Sequence, residues 1–217
     1  MKTLRNYLFL IVCCIFAATA FTACTGDSDD NSIDPTTYKS YLNNISGNYI
    51  GKMVFYKTPK NSSSTTLEKY DSISYANWKM SADSTITFYN FPVSKVDSVI
   101  NVSSSSSEST KQLFEALKNC PPTTLKAFYG IPSKSYISST YIAFIVNPTT
   151  IELTLNYGGA NHKVYLVFTA GYYMGMWLSS NKTTQIQAVL SGVYVDSTTT
   201  PLSSDYINNI GVIWTSK

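Results

Sequence analysis

Apolar and polar residues alternate along most of this 217-residue chain, with the period of strands. The clearest run is TIELTLNYGGANHKVYLVF. Ile151, Leu153, Leu155 and Tyr157 alternate with Glu152, Thr154 and Asn156. Gly158-Gly159-Ala160-Asn161 reads as a turn, and Val164, Leu166 and Phe168 then restart the apolar face. That pattern predicts a hairpin with one wet side. Similar runs predict strands in GNYIGKMVFYK and over 72–80, 85–90, 125–129, 141–146, 172–178, 185–195 and 210–215.

Two stretches switch to helical spacing. Tyr38, Tyr41, Leu42 and Ile45 form an apolar face behind Asp34 as cap and Pro35 in the first turn, with Gly47 as the stop. Leu113, Phe114, Leu117 and Cys120 form a second stripe. There Ser109 and Gln112 have capping-box spacing, and Pro121-Pro122 terminates the run. Residues 93–100 suggest a further helical turn. The expectation is a mainly β fold: a single antiparallel β-barrel or β-sandwich of about 8–10 strands. An N-terminal helix precedes it, and a crossing helix covers one open end or edge.

The first residues do not belong to that domain. Lys2 and Arg5 precede an uncharged, mostly apolar stretch from Tyr7 to Phe21. It is shorter than the roughly 18–20 residues a membrane-spanning helix needs, and it reads as an export signal. Phe21-Thr22-Ala23-Cys24 resembles the bacterial lipobox, with Phe21 in place of the usual Leu. The resemblance implies cleavage before Cys24 and a lipid on its sulfur. Two or three acyl chains would hold a soluble domain on a membrane nearly permanently. Asp27, Asp29, Asp30 and Asp34 then dominate a polar tether. An acidic run after a lipidated Cys is similar to the Bacteroidetes surface-export signal, although there the acids sit closer to the Cys. The expected division is 1–23 signal peptide, 24–34 lipidated Cys and tether, and 35–217 one β-rich domain. The expected place is the cell envelope, as an outer-membrane lipoprotein displayed at the surface.

Composition narrows the chemistry. Arg5 is the only arginine, and without Lys2 and Arg5 the net charge falls from +3 to +1. A domain without guanidinium groups and without a basic footprint argues against nucleic acid. After Cys24 the single thiol is Cys120, so the domain cannot hold an internal disulfide. One thiol and one imidazole, His162, cannot build a zinc site without carboxylates. A Cys120–His162 nucleophile pair is conceivable, but Cys120 closes a helical stripe and reads as a packing residue. No carboxylate spacing marks a hydrolase, and no phosphate loop or Gly-x-Ser-x-Gly elbow is present. No catalytic residue, metal ligand or cofactor is assigned.

Two features could carry function. Tyr172, Tyr173 and Trp177 lie in GYYMGMW, and adjacent tyrosines on a strand face opposite ways. An exposed ring there could stack on a sugar, whereas Met174 and Met176 favour plain packing. Asp-Ser followed by a small or apolar residue recurs at Ser72, Ser84, Ser98 and Ser197. These triplets resemble the acceptor of Bacteroidetes protein O-glycosylation, which would need the four serines exposed. The alternative is that Asp and Ser simply suit turns and strand ends.

GNYIGKMVFY, NFPVSKV and NYGGANHKVYLVF together resemble a family of Bacteroidetes lipoproteins, domain of unknown function 4840, from Tyr38 to the C-terminus. The shared motifs are structural and imply no activity. Gly47-x-Tyr49-x-Gly51 also faintly resembles the opening of lipocalin-like barrels, which usually place Trp where Tyr49 stands. The leading expectation is a lipid-anchored envelope domain without catalysis, binding a glycan or an envelope protein. The alternatives are a barrel around a small apolar ligand and a carboxylate-dependent glycan hydrolase. The sequence is silent on oligomeric state.

Overall fold

In the computed structural model the described residues are 31–57, 68–170, 173–203 and 207–217. Helix α1 (Pro35–Ile45) leads into β1 (Gly47–Lys57), β2 (Glu68–Ser81) and β3 (Thr85–Phe91). Short 3-10 turns at Val93–Lys95 and Asp97–Val99 lead to helix α2 (Glu108–Lys118). Then come β4 (Thr123–Gly130), β5 (Tyr141–Pro148), β6 (Ile151–Tyr157), β7 (Ala160–Phe168), β8 (Tyr173–Leu178), β9 (Thr183–Val195) and β10 (Ile210–Ser216).

The expected choice between barrel and sandwich resolves to a barrel. Strands run in the order β10-β1-β2-β3-β4-β5-β8-β9, and β9 pairs again with β10 to close eight antiparallel strands. Closure removes the open sheet edges that invite aggregation. The remaining hairpin, β6–β7, branches from β9. One edge of β9 pairs first with β8, over Thr183–Gln185, and then with β7, over Leu190–Val195. Its other edge pairs with β10 over Gln185–Leu190. The far half of β9 therefore leaves the barrel wall and joins β6 and β7 in a three-stranded flap.

An eight-stranded barrel is just wide enough for side chains to fill, and rings fill this one. Phe88 lies 4.3 Å from Trp214, Tyr129 5.5 Å from Phe144, and Tyr49 stacks on Trp78 at 5.9 Å. Two glycines permit the fit. Gly175 pairs across the sheet with Phe144, and a Cβ there would lie 1.9 Å from the Phe144 ring. At Gly51 a Cβ would meet the Thr215 carbonyl at 2.0 Å, so only glycine lets β1 approach β10 so closely.

The flap has an inner and an outer face. Ile151, Leu153, Leu155, Tyr157, Val164, Leu166, Phe168 and Val193 are buried beneath α2 and the 3-10 turns. Glu152, Thr154 and Asn156 are exposed on the other face of β6. Gly158 and Gly159 join the hairpin with φ of 61° and 82°, the double left-handed turn that matches strand twist. The loop is these two residues, because Ala160 already pairs with Tyr157.

Asp34 caps α1 with Pro35 in its first turn, as expected, but one end of each helix differs from the sequence reading. Ser46, not Gly47, stops α1: its N–H and hydroxyl both return to the Leu42 carbonyl while its backbone turns extended. The chain enters β1 at once and needs no left-handed residue. In α2 the cap is Ser107, whose Oγ accepts from the Thr110 N–H, two residues before the expected Ser109. A first turn beginning at Glu108 also places that carboxylate at the positive end of the helix dipole. The two 3-10 turns occupy the stretch read as a helical turn. Ile33–Lys217 forms one compact unit.

Candidate functional site

The polar outer face of the flap gathers the ionisable groups that the sequence leaves scattered. His162 Nδ1 lies 2.7 Å from Asp196 Oδ2, and the Lys163 N–H donates to Asp196 Oδ1 at 2.8 Å. Asp196 reaches both because it leaves β9 with a φ of 52°, which turns its carboxylate back onto β7. The two donors, His162 first, hold its carboxyl below the usual carboxylate range. Tyr157 stacks on the imidazole at 4.2 Å. Lys163 Nζ bonds Glu152 Oε1 at 2.8 Å, which raises the ammonium's pKa.

Beside this network runs an aromatic row. Pairing places Glu152 opposite Tyr165 and Tyr165 opposite Tyr194, so one line of side chains crosses all three strands. Both tyrosines are half-buried. A shallow cleft of about 480 Å³ opens here, lined by Lys163, Tyr165, Asp196, Ser197, Thr198 and Thr199. Ring faces, hydroxyls, a carboxylate and an ammonium meet on one shelf. The shelf can stack and hydrogen-bond; it has the makings of a binding surface.

The shelf's carboxylates do not suit the general-acid role that the hydrolase alternative requires. A general acid needs a raised carboxyl pKa, and Asp196 is shifted the other way. Glu152 is engaged by Lys163. Cys120 is buried, its thiol pushed up by burial, while the contacts of His162 are with Tyr157 and Asp196. No group of three or more His, Cys, Asp or Glu residues among the described residues could hold a metal ion.

The sequence-derived candidates fare unevenly. Cys24, Tyr172 and the Tyr173 side chain lie outside the described residues. Trp177 turns into the barrel and is 7% exposed, so it offers no solvent-facing platform. Met174, Met176 and Leu178 hold the outward face of β8 instead. Gly175 and Trp177 take the inward phase of the strand because Phe144 needs the space over Gly175.

The Asp-Ser triplets commit their carboxylates to local and cross-strand hydrogen bonds, Asp71-Ser72 inside β2 and Asp97-Ser98 in a 3-10 turn. Asp71 and Asp97 each accept from the N–H of the following serine, at 2.7 and 2.6 Å. Asp83 accepts from the N–H and hydroxyl of Thr85. Ser84, expected to be exposed, is buried at 9%, with a left-handed φ of 66°. It occupies the special position of the β2–β3 turn, and its carbonyl accepts from the Tyr129 N–H. Ser72, Ser98 and Ser197 are half-buried.

Sequence reasoning passed over Tyr165 and Tyr194. A signal existed: each sits in the polar phase of its strand, between Val164 and Leu166 and between Val193 and Val195. That phase would have marked both as facing away from the core.

The helices among the described residues are too short or too polar to cross a membrane, which says nothing of strands. No curated protein matches the chain. A solved structure, a multidomain protein including DUF1735 from Bacteroides ovatus, overlaps it with 8% identity and a TM-score of 0.26. The overlap covers 78% of this chain and 55% of that one, so the chain spans about half the length of that protein. So slight a superposition carries no argument about function. Residues 44–195, the stretch from the end of α1 through the whole flap, match the family described as domain of unknown function DUF4840, and the chain belongs to that family.

Proposed function

We propose that this chain is a non-catalytic binding domain, carried on a bacterial cell envelope by a lipid on Cys24, which docks a glycan on the outer face of its flap. One observation carries the docking surface: Tyr165 and Tyr194 lie side by side in the polar phase of paired strands, next to a cleft of hydroxyls and charges. Sugars present apolar C–H faces and hydroxyl edges together. Tyrosine rings suit the faces at low entropic cost, and Asp196, Lys163 and Ser197–Thr199 suit the edges. The anchor rests on the Phe21-Thr22-Ala23-Cys24 pattern behind a short export signal. An envelope protein is the alternative ligand of the same shelf.

A glycan array with the purified full chain in detergent tests the docking reading. Saturable binding to a set of related glycans supports it, and no binding at millimolar glycan removes it. Intact mass of protein from its native membrane tests the anchor. The expected mass is that of a chain starting at Cys24 plus lipid; a chain of the same start without lipid would exclude the anchor. Further mass in hexose steps would point to Ser72, Ser98 or Ser197 as acceptors.

A further inference from the structure

Exposed apolar side chains are scattered over one side of the barrel wall and gathered on the other. On β1–β3 they stand singly: Ile50 lies opposite Asn77, which lies opposite Tyr89. On β5 and β8 they stand together. Ile142, Phe144 and Val146 are buried in the barrel, so Tyr141, Ala143 and Ile145 take the outward phase. Pairing sets these three against Leu178, Met176 and Met174 in turn. Met174 is 49% exposed, Met176 40% and Leu178 36%, and Phe128, at 48%, extends the face onto β4. A contiguous exposed apolar face marks a surface that meets a partner. Two flexible thioethers at its centre suit an irregular, yielding partner better than a shaped ligand.

Charge and the path of the chain identify that partner. Glu152, on the flap, is the single carboxylate between Glu115 and Asp196, so β4, β5, β8 and β9 carry none. The exposed cations of this quadrant are Lys126 on β4, Lys134 before β5 and Lys182 in the β8–β9 turn. An apolar face with lysines beside it and no acid suits a lipid surface. Acyl chains take up the apolar part, and phosphate headgroups meet the ammonium groups. The chain also enters the domain on this side. The Tyr38 hydroxyl, from the first turn of α1, lies 3.3 Å from where a Cβ on Gly130 would sit. Gly130 pairs with Ile145, and Ile145 with Met174. Ten positions separate Cys24 from Asp34, the cap of that turn, a reach of at most roughly 35 Å. A lipid on Cys24 therefore keeps this quadrant close to a bilayer, where even a weak contact face is occupied.

We propose that the β4–β5–β8 side of the barrel rests on the phospholipid bilayer that carries the Cys24 lipid. Met174, Met176, Leu178 and Phe128 sit at the level of the headgroups and upper acyl chains. The wall lies on the bilayer and does not cross it. The inference rests on the anchor reading above and adds an orientation to it. Around the barrel β2 is four strands from β8 in either direction. Its Tyr75, 76% exposed, therefore faces water on the far side.

Site-directed fluorescence on the protein purified from its native membrane tests this. With Cys24 lipidated and Cys120 buried, the thiol added by Met176→Cys or by Tyr75→Cys is the single reactive one. Each variant is labelled with an environment-sensitive dye. It is then reconstituted into phosphatidylethanolamine–phosphatidylglycerol vesicles, with and without nitroxide-labelled acyl chains. The Met176→Cys label is expected to shift to the blue and to be quenched at least about twofold more than the Tyr75→Cys label. Adding Met174→Glu, an exposed change that leaves the core alone, should bring the Met176→Cys label down to the Tyr75→Cys level. Equal quenching of the two labels in protein that floats with the vesicles overturns the orientation and leaves the anchor standing. Quenching that Met174→Glu does not reduce overturns the apolar contact. Dye on Cys24 in otherwise unaltered protein reveals a bare thiol, and then anchor and orientation fall together.

Discussion

The barrel and the flap are built from one continuous sheet, yet they use side chains in opposite ways. Inside the closed barrel, apolar contact takes precedence over polar pairing. Trp78 and Trp214 are buried with indole N–H groups unpaired, and Trp214 lies against the rings of Phe88 and Phe91. On the flap, polar groups are paired. Asp196 serves two donors, Lys163 meets Glu152, and Asn156 bonds Asn161. Only the flap's inner face is committed to the core, which frees its outer face for chemistry. The difference teaches that β9, which belongs to both, joins a rigid support to a surface that can be specialised without disturbing it.

The comparison breaks most readily at the barrel. Trp214 is fully buried, and Trp214→Ala should cost about 3–5 kcal/mol through lost contacts and a cavity. Urea unfolding measures it. Below its lowered melting temperature the variant should still bind whatever glycan the wild type binds, because the flap does not use that ring. Loss of binding in a folded variant would show that barrel and flap are not separable.

A smaller effect is expected at Gly175. Gly175→Ala drives a methyl into the Phe144 ring and should cost about 1–3 kcal/mol by overpacking. In a Phe144→Ala background the same change should cost little, since the obstructing ring is gone. Additive costs in the double-mutant cycle would show that glycine is required there for another reason.

The smallest effect is on the flap, and pH exposes it. The Asp196 carboxyl lies below its unfolded value of 3.8, owing chiefly to His162 and then to the Lys163 N–H. A depressed folded pKa stabilises the fold above the unfolded value and ceases to do so as pH falls through the folded one. Asp196→Asn should therefore sit a small, constant amount below wild type above about pH 5. The two curves should converge as the pH drops below 3.8. Chemical unfolding at a series of pH values reads this directly. A gap that widens on acidification would contradict the assignment.

Much of the flap hairpin was legible in the sequence. Alternation is local, and the run from Ile151 to Phe168 gives its strands, its turn and its buried face. The barrel was legible as a class but not as a closure, since closure depends on β10 pairing with β9 on one side and, across most of the chain, with β1 on the other. Trp177 was misplaced for a physical reason. In YMGMW both phases of the strand are apolar, so alternation cannot tell Met174 and Met176 from Gly175 and Trp177. What decides is the Phe144 ring over Gly175, contributed by β5. The His162–Asp196 contact spans 34 positions and exists only because β7 and β9 become neighbours around the β8 connection. Asp196-Ser197 was noticed as a triplet for modification; its carboxylate instead ties β9 to β7.

The central claim is that the flap's outer face binds and the barrel supports it. The most direct measurement is a glycan array probed in parallel with the wild-type chain and with Tyr165→Ala, alongside their melting curves. Tyr165 is half-buried on the face away from the core, so its truncation should leave the melting temperature nearly unchanged. The expected result is a defined set of glycans bound by the wild type and lost in the variant. Wild-type binding that survives Tyr165→Ala at full strength, or no wild-type binding at all, would contradict the account.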